Sequence, residues 1–548
     1  MEKRTTARPV RSAKEQMLRG SAWMTAGSIL SRVLGAIYIV PWRIWLGGAF
    51  LAANVLFTKG YQVYSIFIII STAGIPGAIS KQVAHYNAMN EYRTGFRLFF
   101  HGLLAMVGMG IVACGLMWYF APALALHDPA LTRVFRSLAW PLLLIPAMSI
   151  MRGFFQGYNE MAPSALSQFI EQLARIVYML LMTYIIMRLA APGGHGDYVE
   201  AVSQSTFAAF VGAVFGLALL VWYFFSQRQH YRELVAQSAN QLDISIGQIL
   251  LDMMRQAVPF IIMDSAINVY YIIDQYTFEP LMRLRYAASP QRLGEIYGIF
   301  AGNANKQIMI IVSIAVAMAV AALPILAEAK TKNDLAEVAA QTTNVMQLFF
   351  IVMLPAAFGM WAIAEPMYVV FFGYDALGVS LMEESCALAI GLGLYTVLAS
   401  VMQGLFHNRL AMLEMAAGLL VKIVLQWPFI FFFNVYGPTL ATLVGTLVSS
   451  ALMLWSLWVR YPIKARQTLH RLVGILTFSV IMAVVVRLVQ WLLAFVVDPQ
   501  RGVGALVMLI VALPIGIAVY GYAVLKTRLA DMILGARVGG LRRRLHMQ

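Results

Sequence analysis

Ser149–Ile176 reads SIMRGFFQGYNEMAPSALSQFIEQLARI, and the fold is decided by how this stretch is read. Its first nine residues close an apolar run, and the end of another run far downstream copies them. Ser400–Asn408 reads SVMQGLFHN, matching Ser149, Met151, Gly153 and Phe155 to Ser400, Met402, Gly404 and Phe406 at a separation of 251 residues. Two more run-ends pair in the same order. GIPGAISKQVA matches ALPILAEAK, with Pro76 and Pro324 248 residues apart, and FAPALAL matches IAEPMYV, with Pro122 and Pro366 244 apart. Three ordered matches at a nearly constant offset mark an internal repeat.

Composition supplies the medium for that repeat. Of 548 residues 61% are hydrophobic and 12% charged, and the mean hydropathy is +0.74, whereas a soluble domain carries roughly 25% charged residues. Runs of about 20 apolar residues, enough for one crossing each, recur along the chain. The ten-residue alternating segments of a β-barrel are missing. The expected class is an all-α polytopic membrane protein.

The runs give fourteen expected spans at 18–46, 60–84, 96–120, 137–157, 163–188, 200–226, 249–277, 299–328, 343–372, 386–406, 411–433, 437–459, 470–496 and 503–525. The repeat pairs spans 1–6 with spans 7–12 in the same direction. The expected organisation is therefore a cytosolic tail (1–17), an N-lobe (18–226), a cytosolic linker (227–248), a C-lobe (249–460), an appended helix pair (461–525) and a basic tail (526–548). With the N-terminus inside, Lys and Arg outnumber those of the outer connections about threefold on the cytosolic side, as the positive-inside rule requires. That rule accounts for the net charge of +15 better than nucleic-acid binding does. The first run is too long for a cleaved signal peptide. Cys114 and Cys386 both fall in spans, so no disulfide framework is expected, and no metal-ligand spacing occurs.

Ionisable residues inside spans cost about 2.5–3.5 kcal/mol each on insertion scales, so they face a partner, a cavity or the interface. Gln168, Glu171, Gln172 and Arg175 fall at i, i+3, i+4 and i+7 and share one helical face. Two readings stay open: a Glu171–Arg175 pair that glues helices, or the wall of a hydrated cleft. The repeat offset carries Glu171 onto Lys422, so both halves place charge at equivalent positions. In span 7, Asp264, Asn268, Tyr271 and Gln275 share a face, with Asp274 beside them. Asp264 and Asp274 are candidates for coupling to Na+ or H+, or for pairing with a base. Arg152 and Arg255 lie near span ends, where long basic side chains snorkel to lipid phosphates. Arg32 lies too deep for that and is expected to face a cavity. Lys306 and Lys422 complete a cationic set suited to phosphate or pyrophosphate, which Arg binds in bidentate fashion. Arg487 receives no role from the sequence.

SRVLGAIY (Ser31–Tyr38), STAGIPGAISKQVA (Ser71–Ala84), the stretch from Arg152 to Ile176, and NANKQIMIIVSIAVAMAVAALPILAE (Asn303–Glu328) together resemble the multidrug/oligosaccharidyl-lipid/polysaccharide (MOP) exporter superfamily. Within it the chain is most similar to polysaccharide-biosynthesis flippases of the stage V sporulation protein B type, near the lipid II flippases. The resemblance implies fourteen helices, two six-helix lobes and an appended pair forming a groove for a polyprenyl tail. It also implies a substrate, an undecaprenyl-(pyro)phosphate-linked oligosaccharide moved outward across a bacterial cytoplasmic membrane. Arg32 matches the arginine of SRVLG that lines the cavity in lipid II flippases; their second arginine, six residues on, is Tyr38 here.

The expected protein is thus a non-enzymatic flippase working by alternating access as a monomeric unit among membrane lipids. Arg32, Gln168, Glu171, Gln172, Arg175, Lys306 and Lys422 would meet the headgroup. No cofactor is expected: the chain has no GxxxxGK[ST] motif, and Na+, H+ or the membrane potential would drive export. The rival is a cation-coupled drug exporter of the same superfamily. A sugar polymerase or glycosyltransferase would need a larger loop with paired carboxylates; the longest here, Ser226–Gln248, holds one Glu and one Asp.

Overall fold

The computed structural model describes residues 34–534, apart from residue 36 and short segments at 73–74, 159, 190–195, 240–245, 286–288 and 464. The expected cavity residue Arg32 lies outside the described residues. Every regular element described is helical. In chain order these are α1 (Ile39–Leu46), α2 (Phe50–Thr72), α3 (Ile75–Ala88), α4 (Tyr92–Leu124), α5 (Pro129–Gly157), α6 (Met161–Tyr184), α7 (Tyr198–Ser226), α8 (Arg228–Ala236) and α9 (Ile246–Arg285). There follow α10 (Pro290–Tyr297), α11 (Asn305–Thr331), α12 (Leu335–Ala362), α13 (Ala364–Phe372), α14 (Ala376–Gly404), α15 (Asn408–Phe433), α16 (Gly437–Arg460), α17 (Ala465–Leu493), α18 (Gly502–Lys526) and α19 (Leu529–Leu534).

Side-chain caps set several helix starts. Asp128 accepts from the Ala130 amide at 2.8 Å with Pro129 at the first helical position, Asp197 from Val199 at 2.9 Å, and Asp334 from Glu337 at 2.9 Å. Each satisfies amides that a helix start leaves without partners. Asp375 does the same for α14 through the Gly378 amide at 2.7 Å.

Among the described residues eleven stretches are long and apolar enough to cross a membrane, so the chain is a multi-pass membrane protein. Ile39–Ala88 and Asn408–Arg460 are each far longer than one crossing needs. The second holds two of the expected spans, and the first holds the second span and the end of the first, which was expected at 18–46 and lies mostly outside the described residues. The expected seventh span falls on the 40-residue α9. Many boundaries lie within a few residues of those read from hydropathy, but α14 begins at Ala376, ten residues before the expected 386, and α5 and α12 each begin eight residues early. The second span departs as far. It was expected at 60–84 with Lys59 in an outer connection, but α2 begins at Phe50 and carries Lys59 within it. Asn54, Thr58 and Gln62 are buried along one face of α2, and polar residues packed inward look like a loop to a hydropathy window.

The chain forms two compact units, residues 1–261 and 262–548, dividing inside α9. In the first, α6 packs along α7, α4 along α5, and α5 also receives α2, α3 and α7. An aromatic knot joins α4, α5 and α7 to the amphipathic α8: Phe96, Phe99, Phe154, Phe224 and Tyr231 lie ring against ring. Tyr231 reaches Glu160 with its hydroxyl at 3.3 Å, and burial together with that carboxylate raises its pKa.

In the second unit α15 and α16 form a tight hairpin, α11 packs on α14, and α17 and α18 dock through α12 and α13. Ile351, Leu354, Ile475 and Val524 make one buried cluster at that junction and Ala362, Met482, Val486 and Ala512 another. Tyr520 adds a hydrogen bond to the Ile351 carbonyl at 2.9 Å. The outer faces of these two helices are apolar and exposed, Val484, Trp491, Ile510 and Ile517 among them, as lipid-facing surfaces are.

Candidate functional site

The polar face of α6 is held against α7 by two glycines four residues apart. A Cβ on Gly212 would stand 2.6 Å from the Glu171 carbonyl oxygen, and one on Gly216 would stand 3.2 Å from both the Glu171 Cβ and the Ser167 carbonyl. Only hydrogen at those positions lets the backbones approach, the small-residue packing used between membrane helices. The second unit repeats the device. A Cβ on Gly445 of α16 would meet the Gly418 carbonyl at 2.8 Å and the Lys422 Cβ at 3.1 Å on α15. Ser167 and Glu171 stand to Gly216 as Gly418 and Lys422 stand to Gly445; the α6 and α15 positions keep the register of 251 read from the sequence, whereas the two glycines are 229 residues apart.

On α6 the charges do not pair as neighbours along the helix. Glu171 accepts from the Arg152 Nη2 at 2.7 Å, and the Arg152 Nε donates to the Ser167 Oγ at 2.8 Å. The pair is largely shielded, with side-chain exposures of 15% and 23%. Two expectations change here. The Glu171–Arg175 pair gives way to one across helices, and Arg152 is turned inward to Glu171 rather than outward to lipid phosphate. Both follow from α5 passing close enough for a charge-assisted bond, which is stronger than a pair held open along one helix.

Arg175 takes a different environment. Its Nη2 donates to the Tyr61 hydroxyl at 2.6 Å, and the guanidinium carbon lies 5.1 Å from the Tyr61 ring centre. Tyr61 in turn packs on Phe57 and Tyr64. Among the described residues no carboxylate lies within ion-pair distance of Arg175, so its charge rests on neutral hydroxyl and π partners. Gln168 and Gln172 are partly exposed on the same face, with Gln172 beside Gly35. The face therefore offers a guanidinium with no direct ion pair among the described residues, flanked by two amides.

In the second unit, Lys422 is wholly enclosed. Its Nζ lies 2.6 Å from the Asp274 Oδ1, 2.6 Å from the Thr442 Oγ1, 3.1 Å from the Gln426 Oε1 and 3.2 Å from the Pro438 carbonyl oxygen. Gln426 also donates to Asp274 at 2.9 Å. Side-chain exposures of Lys422 and Asp274 are 0% and 5%. Lys422, expected to meet a headgroup, is enclosed in this geometry, and of the two readings left open for Asp274 it is the pairing with a base that is seen, the base being Lys422. A buried charge of either sign costs several kcal/mol unless it is paired and hydrogen-bonded, and here each supplies what the other needs.

Asp264 is exposed on α9, ten residues before Asp274. Tyr271, on the face expected to carry Asp264, donates to Asn305 at 2.7 Å at the start of α11. A buried π-helical segment, Gly298–Ala304, feeds α11 and sets Asn305 and the partly exposed Lys306 there. Arg255 lies on α9, and its side chain is outside the described set.

Sequence reasoning missed Tyr61, Gln426, Thr442 and Glu383. Gln426 follows Lys422 by four and was legible as its helical neighbour. The others come from different helices and have no linear signal. Glu383 resolves Arg487: the guanidinium bonds Glu383 and the Trp361 carbonyl and stacks 4.6 Å over the Trp361 ring, tying α17 to α12 and α14.

With this geometry described, comparison with known proteins places the chain. The family described as "Polysaccharide biosynthesis protein" matches residues 17–330. The lipid II flippase MurJ of Bacillus subtilis is 30% identical over 96% of this chain and 98% of its own length. Stage V sporulation protein B of Bacillus subtilis is 27% identical over 182 residues, 32% of this chain and 34% of that protein. Among solved structures, the lipid II flippase MurJ in its inward closed conformation superposes with a TM-score of 0.59 at 11% identity, covering 91% of this chain and 97% of that one; at that identity the likeness concerns the fold.

Proposed function

Because the chain belongs to the polysaccharide biosynthesis protein family of the MOP exporter superfamily, we propose that it is a flippase for an undecaprenyl-(pyro)phosphate-linked oligosaccharide. The substrate would be a cell-wall precursor such as lipid II or a polysaccharide repeat unit, and the setting a bacterial cytoplasmic membrane with both termini inside. The observation that carries the reading is the full-length similarity to a lipid II flippase. Arg175 gives it chemistry. A guanidinium within a span whose hydrogen bond among the described residues goes to the neutral Tyr61 hydroxyl keeps its charge for an anion, and the pyrophosphate oxygens suit its planar fork. Gln168 and Gln172 would add hydrogen bonds to phosphate or sugar, and Arg32 joins the same set. Lys306 remains a candidate in the second unit, whereas Lys422 leaves the set.

Transport of this kind moves the polar head through water while the lipid tail stays in the bilayer, by alternating access. A ligand that binds two states equally shifts neither, so net export requires an ion gradient, the membrane potential or consumption of the product outside. The relatives are transporters rather than enzymes, and the same is proposed here.

The test is native mass spectrometry of the purified protein against polyprenyl-pyrophosphate glycans and lipophilic cationic drugs. It is joined to rescue of cells depleted of their lipid II flippase. Retention of the polyprenyl glycan, together with rescue by the wild type but not by a normally inserted Arg175→Ala, is the expected result. Binding of the drugs without any polyprenyl lipid would sink the reading in favour of a cation-coupled exporter.

A further inference from the structure

The ends of α12, α16 and α17 that meet around the Tyr461–Ile463 connection enclose a cavity of about 590 Å³. Its walls are almost wholly apolar, with Met346 and Phe350 from α12, Leu454 and Trp455 from α16, and Leu469 and Leu472 from α17. Its border differs sharply from its interior. From Arg460 to Arg471 the sequence carries Arg460, Lys464, Arg466 and Arg471, and no acid occurs between Arg460 and Val497. Arg460 is exposed at the end of α16. Arg471 is fixed beside the cavity: its Nη1 bonds the Gln347 side chain and the Met532 carbonyl, and the Gln347 amide donates to the cavity-lining Thr468 at 3.3 Å. Trp455 and Trp458 stand edge to face at 5.9 Å and are both more than half exposed, where tryptophan marks the boundary between headgroups and acyl chains.

We propose that this cavity is a binding site for an anionic phospholipid, with one acyl chain inside it and the phosphate held by Arg460 and Arg471. Charge complementarity selects the headgroup, since basic pockets between membrane helices recruit acidic lipids. Size suits the chain, because about 590 Å³ takes a single acyl tail. The bound lipid would wedge α17 against α12 and α16 and so steady the helix that Arg487 anchors at its other end. The site is built from the second unit and does not depend on which substrate the α6 face binds.

The test is native mass spectrometry of the full chain purified in detergent and incubated with phosphatidylglycerol, phosphatidylcholine or undecaprenyl phosphate, together with thermal unfolding in each lipid. One retained phosphatidylglycerol per protein and a raised melting temperature, with neither seen for phosphatidylcholine, are expected. Ala451→Trp, which fills the cavity from its exposed wall, should abolish retention. Arg460→Gln should weaken it about fivefold, the effect of one basic residue near an acidic headgroup. Three outcomes overturn the proposal: equal retention of phosphatidylcholine, retention unaltered in both variants, or undecaprenyl phosphate held in the phospholipid's place and lost with Ala451→Trp. Among the described residues the hydrogen bond of Arg460 is to the Ser456 carbonyl within its own helix, with the Glu414 and His407 side chains in its field, so Arg460→Gln is read beside an unfolding control without lipid.

Discussion

Lys422→Met is the most incisive perturbation of the second unit. It removes an ammonium that touches four oxygens and leaves the Asp274 carboxylate in a site where it is 5% exposed. Asp274 would keep the Gln426 amide at 2.9 Å and the Thr442 hydroxyl at 3.5 Å, one sound neutral bond and one long one. Deleting one partner of a buried ion pair costs about 3–5 kcal/mol, and so little residual hydrogen bonding places Lys422→Met in that range. Asp274→Asn should cost less. Lys422 would then retain oxygens from Gln426, Pro438 and Thr442, one for each of its three N–H donors, and the loss should fall to about 1–3 kcal/mol. Lys422→Met combined with Asp274→Leu removes both charges together, so the double variant should be more stable than Lys422→Met alone, with a coupling of about 2 kcal/mol or more. The assay is reversible unfolding in mixed micelles with increasing dodecyl sulfate, followed by tryptophan fluorescence. If Lys422→Met lies within about 1 kcal/mol of wild type, or the double variant equals the sum of the singles, the enclosed pair does not carry the stability ascribed to it here.

Three other outcomes follow from the geometry. Gly418→Ala should destabilise the α15–α16 hairpin by about 1–3 kcal/mol, because the new Cβ would lie 2.0 Å from the Ser449 Oγ and 2.3 Å from the Gly445 carbonyl oxygen; an unchanged unfolding midpoint contradicts the close approach. Glu383→Ala should loosen α17 by leaving Arg487 with only the Trp361 carbonyl and ring, read as faster hydrogen exchange in α17 and α18 than in α6 and α7. His407, in the connection before α15, has a pKa held below 6.5 by burial and by the cations Lys330 and Arg460, and its ring bonds the Tyr461 hydroxyl at 2.9 Å. The unfolded chain therefore binds this proton more readily than the folded one, so the stabilisation is complete above the unfolded value and is lost as pH falls below about 6.5. A His407→Gln protein should show a flatter decline between neutral and mildly acidic pH, and identical slopes would remove the histidine from the account.

Much of this protein was legible one helix at a time. Apolar run length fixed the class and most helix positions, and a period of 3.6 residues put Gln168, Glu171, Gln172 and Arg175 on one face. Both signals are local, carried by residues within a few turns of one another. Where a helix buries polar side chains the same signal misleads. Asn54, Thr58 and Gln62 are packed inside, and they made the first half of α2 look like a connection. The repeat went further, because its register of 251 linked Glu171 to Lys422 before any packing was known.

What no local pattern could decide was the partner of each charge. Glu171 and Arg175 sit one turn apart and invite pairing along α6. Yet Gly212 and Gly216 draw α7 against that helix, α5 brings Arg152 to Glu171 at 2.7 Å, and Arg175 is left facing Tyr61. Lys422, equivalent to Glu171 in sequence, ends enclosed by Asp274, Gln426 and Thr442 on three helices, and Arg487 finds Glu383 across a contact 104 residues away. In a low-dielectric interior a charge is stabilised by whichever opposite group lies within about 3–4 Å. That distance is set by helix crossings and glycine contacts, which the sequence determines only through the whole packed chain.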